Sequence, residues 1–168
     1  MRYAFLVLSV LAMALVGCHS GSKSPSEAKH TGAHVHNVTL PDKTMANAKQ
    51  PSNLPPGAKM LVIEGDPTKP GYFCARLWMP DGYKIPPHTH PNWERVTVIS
   101  GTLLLSEGSD MSKPEKTDTL PTGSYTTMSP GMAHFGVAKG DTILQLTTIG
   151  PWGIDYINPA DDPRNQKK

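Results

Sequence analysis

The run PPHTHPNWERV, residues 86–96, sets His88 and His90 one residue apart and places Glu94 four residues after the second. Neutral imidazole nitrogen and ionised carboxylate oxygen suit Mn, Fe, Co, Ni, Cu or Zn. In extended backbone, residues i and i+2 face the same way, so His88 and His90 project side by side. Pro91 and Asn92 break that strand. Glu94 then opens ERVTVIS and shares a face with Val96 and Val98. A hairpin would carry its carboxylate back over the two imidazoles, and the two valines would wall the same cavity. A pair of histidines and one carboxylate seldom complete a shell, so a fourth ligand is expected downstream.

The histidine census offers one. Of seven histidines, His19, His30, His34 and His36 lie in a polar N-terminal stretch, which leaves only His88, His90 and His134 for the body of the chain. His134 follows MSPGMA and begins the strand-like run HFGVA. A lone histidine is ordinarily a satisfied core or surface residue. Here that explanation would have to account for every histidine of the body falling where a shared site would use it.

The elements that must position these residues are short and β-rich. From residue 57 onward, KMLVIE, FCARLWM, ERVTVIS, TLLLSE, GSYTTM, HFGVA, TILQLTT and WGIDYI are separated by turn formers such as MPDG, SG, PTG, SPGM and AKGD. No stretch of helical length keeps a 3.6-residue period free of Gly or Pro. Strands at this spacing indicate an all-β sandwich or barrel, which can hold a ligand among its inward side chains. The 168 residues fit one such domain, and 15 glycines with 17 prolines fit its turns. With 16 Lys and Arg against 14 Asp and Glu, the chain offers no electrostatic case for binding nucleic acid.

The N-terminus reads differently. Residues 1–17, MRYAFLVLSVLAMALVG, carry one cation and then an apolar run too short to span a bilayer, as in a secretory leader. The leader ends in LVGC, which resembles the lipobox of bacterial lipoproteins. That resemblance implies lipidation of Cys18, a membrane contact through the lipid anchor alone, and exposure to the periplasm. His19 lacks the aspartate that favours inner-membrane retention, which points to the outer membrane. Residues 18–56 are small, polar and aperiodic and read as a tether; its HTGAHVH tract is a solvated linker or a loose metal trap. With Cys18 lipidated, Cys74 stands alone in FCARLWM, where a small buried hydrophobe is the ordinary reading.

Residues 82–101, GYKIPPHTHPNWERVTVISG, follow the spacing GxxxxxHxHxxxExxxxxxG and so resemble the first motif of the cupin superfamily. Residues 123–138 resemble the second through Gly123, Gly131 and His134. They depart from it at Ser129, where proline is expected, and at Ala138, where asparagine is expected. The resemblance implies a small single-domain cupin over residues 57–168, a double-stranded β-helix or jelly-roll barrel, as monomer or homodimer. Its cofactor would be one divalent transition metal (Fe, Mn, Ni, Cu or Zn) bound by His88, His90, Glu94 and His134. An octahedral ion so bound would keep about two exchangeable positions.

The scaffold does not fix the chemistry. Val96, Met128 and Phe135 are expected to line a substrate pocket, with Val98, Met132, Trp93, Trp152 and Tyr156 nearby, which suggests an apolar cavity for a small organic molecule. No second acid or base stands beside the motif, and no catalytic residue is assigned. Two readings follow: a metal-dependent oxygenase of small aromatic or enolic compounds, or a non-catalytic module that senses or binds a metal or small ligand at the cell envelope.

Overall fold

The computed structural model describes residues 44–166. The leader, Cys18 and the four tether histidines lie outside the described residues. The described chain forms β1 (Lys59–Glu64), β2 (Gly71–Met79), β3 (Lys84–Thr89), β4 (Glu94–Glu107), β5 (Lys116–Pro121), β6 (Tyr125–Met128), β7 (His134–Gly150) and β8 (Asp155–Tyr156). Among the described residues the only helical pieces are 3₁₀ turns at Thr44–Asn47, Pro159–Asp161 and Pro163–Asn165.

All pairings are antiparallel, and two long strands organise them. The second half of β7 pairs with β2 from Thr142 to Gly150 and with the first half of β4 from Ile143 to Thr147. The first half of β7 pairs with β3 and with the second half of β4. One layer is therefore β1, β2, β7, β4 and β6, and the other is β8, β3, β7, β4 and β5. β4 and β7 pass from one layer to the other. This is a jelly roll, the fold that the resemblance to cupins implies.

Each crossing has a cause. In β4 the register shifts on either side of Ser100, beside Gly101 at φ +78°. A Cβ on Gly101 would stand 2.5 Å from the Asp141 carbonyl and the Thr142 hydroxyl, so only glycine lets the two strands approach there. The fully buried Thr142 hydroxyl bonds across the crossing to the Thr102 carbonyl at 3.1 Å. ERVTVIS and TLLLSE are thus one bent strand, and so are HFGVA and TILQLTT; the glycines between them bend the strand where turns were expected. β5 went unforeseen because KTDTLP is a mostly exposed edge strand with little apolar alternation.

Phe73, Ala75, Leu77 and Met79 of β2, Val96 and Val98 of β4, and Leu144 and Leu146 of β7 fill one inner face. Leu103 and Leu105 of β4, Ile85 and Ala138 fill the other. The packed body also begins before residue 57. Leu54, placed in the tether by its polar surroundings, is 2% exposed within the core. Its segment is held by Tyr83 Oη, which donates to the Pro55 carbonyl, by Tyr156 Oη, which donates to the Asn53 carbonyl, and by Gln50, whose amide accepts from Gly57 N. The tyrosines that anchor it lie far downstream, which is why the local composition gave no sign of it. Cys74 is buried, and its thiol is pushed up by that burial, as a packing residue would be.

Candidate metal centre

β3 contains a bulge. Ile85 pairs with Gly136 and His88 with His134, so the two-proline step Pro86–Pro87 is accommodated between them. Proline has no N–H to lose from the ladder, so this bulge leaves no orphaned donor. It turns the Pro86 carbonyl toward His88 Nδ1, 2.7 Å away. His90 follows two residues later on the same side, with its Nδ1 2.6 Å from the Gly153 carbonyl. His134 opens β7 directly after the turn Ser129–Met132, which is closed by Met132 N donating to the Ser129 carbonyl at 3.1 Å. Its Nδ1 lies 3.0 Å from the Met132 carbonyl.

These bonds decide the tautomers. A carbonyl oxygen only accepts, so each Nδ1 carries a proton and each Nε2 is left to face its neighbours. Among the described residues the three histidines form the group able to hold a metal ion, with ligand atoms within 4.8 Å of one another. His88 Nε2 and His90 Nε2 are 3.1 Å apart, and His90 Nε2 and Glu94 Oε2 3.2 Å. Two ligands each roughly 2.1 Å from a common ion stand about 3.0–3.4 Å apart at angles of roughly 90–109°. Lone pairs facing each other at 3.1 Å need a proton or a cation between them, and this donor set fits either.

Glu94 arrives from the opposite layer. β3 pairs with β7 and β8 and never with β4, so the expected hairpin is absent; the loop of residues 90–93 crosses between layers, and Glu94 faces the histidines across the barrel. Glu94 meets the histidines by this different route, with Oε2 3.2 Å from His90 Nε2. Glu94 Oε1 accepts from Trp152 Nε1 at 3.0 Å, and the Trp152 ring stacks on His90 at 19° with centroids 6.1 Å apart. His88, His90, Glu94 and His134 are all under 7% exposed, at 4%, 3%, 6% and 3%. A buried oxygen without a donor would cost about 1–3 kcal/mol or more, so the indole N–H matters.

The charges follow from this enclosure. Burial, helped by the neighbouring His134 and His90, holds His88 down to about 3. Burial also lowers His134. Burial alone would lower His90, but the adjoining Glu94 carboxylate outweighs it and raises the ring. Burial would likewise raise Glu94, yet His90 and then the other two histidines bring it down to about 2. The site thus holds one anion opposite imidazoles that favour neutrality or share a single proton.

On the barrel side of the cluster, Ile85, Val96, Leu103, Leu105, Met128, Gly136 and Leu144 join His88, Glu94 and His134 around a cavity with about 40 Å³ open to water-sized molecules. Val96 and Met128 line it. Phe135 does not. Strand alternation sends His134 and Gly136 inward and Phe135 to the other face of β7, where it is buried. Val98 lies in the core beyond the cavity, and Trp93 is 49% exposed. Trp152 precedes β8 and does not belong to it. The lining residues Leu103, Leu105 and Leu144 lie in the runs TLLLSE and TILQLTT, where consecutive apolar residues gave no sign of which would face the cavity. The two departures from the second motif are harmless here. Pro130 and Gly131 occupy the centre of the turn that Ser129 begins, with Gly131 at φ +75°, and Ala138 pairs its backbone with Gly82 and Tyr83.

No protein-family model matches the sequence, and no curated protein matches it. Solved structures do. An RmlC-like cupin from Shewanella frigidimarina matches with a TM-score of 0.50 and 15% identity over 62% of this chain and 85% of its own. The polyketide cyclase RemF from Streptomyces resistomycificus matches with a TM-score of 0.56 and 13% identity, over 75% of this chain and 91% of that one. A salicylate 1,2-dioxygenase from Pseudoaminobacter salicylatoxidans gives 0.52 and 13% over 64% of this chain, which spans only 32% of the dioxygenase. At these identities the likeness concerns the fold.

Proposed function

We propose that this protein binds one divalent transition metal through His88, His90, Glu94 and His134 and uses it as an oxygenase of small aromatic or enolic compounds. The observation that carries the metal site is the set of three Nε2 atoms turned to one point while every Nδ1 is tied to a carbonyl. A redox-active ion held there would supply a Lewis acid and an electron-transfer centre for a bound enolate. The chain's own contribution is orientation and dryness. Glu94 keeps its negative charge in a buried setting, and Val96, Leu103, Leu105, Met128 and Leu144 exclude bulk water from the inner side of the cluster.

Solved structures of similar fold include a dioxygenase and a cyclase, but fold likeness alone transfers neither activity. One observation favours a second reading. A cavity with about 40 Å³ open to water-sized molecules accommodates a few such molecules and no aromatic ring, so an organic substrate has to displace side chains such as Met128. A non-catalytic module that binds a metal or small ligand needs no such displacement.

The test reconstitutes the full chain separately with Fe(II), Mn(II), Ni(II), Cu(II) and Zn(II) and follows dioxygen uptake with catechols, flavonols and β-diketones. Uptake with a redox metal that vanishes in Glu94→Ala supports the oxygenase. Reversible metal or ligand binding without uptake in any form replaces it with the binding module. In either case we propose export as a lipoprotein anchored at Cys18, which mass spectrometry of native protein tests by a lipid adduct on an N-terminal Cys18; a soluble species cleaved beyond that residue overturns it.

A further inference from the structure

A carboxylate has two oxygens, and at Glu94 they meet different partners. Oε2 faces His90 Nε2 at 3.2 Å, and Oε1 accepts the Trp152 indole N–H at 3.0 Å. An indole N–H only donates, so it satisfies Oε1 without offering a lone pair that would compete for a cation. The ring itself is fixed on several sides. It stacks on His90 at 19°, meets Phe73 edge-on at 64° with centroids 6.2 Å apart, and its backbone N donates to the Pro67 carbonyl at 2.7 Å. A water molecule would satisfy Oε1 equally well but could leave; a packed indole cannot.

We propose that Trp152 is the positioning residue of the metal centre: by occupying Oε1 it limits Glu94 to one donor oxygen, Oε2, and keeps open a coordination position that a two-oxygen carboxylate would fill. This inference rests on the metal-binding reading above. Trp152 thereby governs how many positions a substrate or dioxygen finds free. It stands 58 residues from Glu94 in sequence and outside both motifs.

The experiment uses the full chain with Co(II) as probe, titrated by visible absorption. The wild-type chain should take up one Co(II); if it takes up none, the metal-binding reading fails first and the role of Trp152 fails with it. Trp152→Phe keeps an aromatic ring and removes the N–H. It should weaken Co(II) binding roughly 10–100-fold, the usual effect of losing a partner of a metal ligand. It should also change the visible bands, because the freed oxygen can now bind. In a Glu94→Gln background the same change should alter affinity less than about twofold, since Trp152 acts through that carboxylate. Unchanged affinity and bands in Trp152→Phe, or an equal loss in both backgrounds, overturns the proposal. Should Trp152→Phe not fold, nitrogen-15 spectra of the metal-free wild-type and Glu94→Gln chains decide instead. One of the three tryptophan indole N–H signals should move and exchange faster in the variant, and no movement overturns the assignment.

Discussion

The four residues proposed as ligands are braced in two ways. His88 and His134 each use the carbonyl two residues before them, Pro86 and Met132, so the bracket and the ligand fold together. His90 and Glu94 are held from a segment 63 and 58 residues away, by the Gly153 carbonyl and the Trp152 indole. Both residues of the first group come from the paired strands β3 and β7. The second group straddles the gap between layers, where no ladder sets the geometry. The local brackets are backbone atoms of short motifs, whereas the remote ones depend on the chain after β7 returning to the right place. The site is therefore expected to be robust on one side and breakable on the other.

The largest effect comes from removing ligands on either side of that divide. His90→Ala and His134→Ala should each lose the metal on dialysis, as measured by elemental analysis, because three ligands hold a labile divalent ion far less well than four. Replacing His19, His30, His34 and His36 together with alanine should leave about one metal per chain. Next comes the apolar wall common to both sides. Leu144→Ala should cost about 2–5 kcal/mol in denaturant unfolding, the usual range for a buried leucine truncated to alanine. It should also enlarge the cavity beside Glu94.

Gly153→Ala disturbs a remote bracket alone. An added Cβ would stand 3.2 Å from Pro91 Cγ and Cδ, so either Pro91 or the Gly153 carbonyl has to move, and His90 loses its alignment. Metal affinity should fall roughly 10-fold in a competition titration. The smallest effect is expected at a local bracket. Met132→Leu conserves volume and leaves the carbonyl that holds His134 in place, so affinity should change less than about twofold in the same titration.

Acidification should act on both groups together. Glu94 raises His90 above the ordinary imidazole range, so it gains a proton on Nε2 at higher pH than a free imidazole would and competes with the ion as pH falls. Metal should therefore be released as pH falls, with the proton between His90 and Glu94 taking its place.

What was legible in the sequence follows the same division. Residue types and spacing singled out His88, His90, Glu94 and His134, which the structure brings together, because i and i+2 in a strand share a face and because only three histidines lay in the body. Short β-branched and aromatic runs between turn formers marked β1 and β2, and marked β4 and β7 as two strands each. The pairing of β3 with β7 and the crossing of β4 and β7 between layers were not visible, since glycines at a bend and glycines at a turn look alike in a sequence. The contribution of Trp152 was hidden for a similar reason: an aromatic residue near the chain's end is ordinarily core, and its N–H finds Glu94 only after the barrel closes. Phe135 was misplaced because the alternation applied to His88 and His90 was not carried over to His134 and Phe135.

X-ray absorption of the Co(II)-loaded full chain tests the central claim most directly, because imidazole ligands leave a distinctive outer-shell scattering pattern. The account predicts one ion per chain with three imidazole nitrogens and at least one oxygen at roughly 2.0–2.2 Å, falling to two imidazoles in His88→Ala. An ion with fewer than three imidazoles in the wild-type chain, or the same count in His88→Ala, would contradict it.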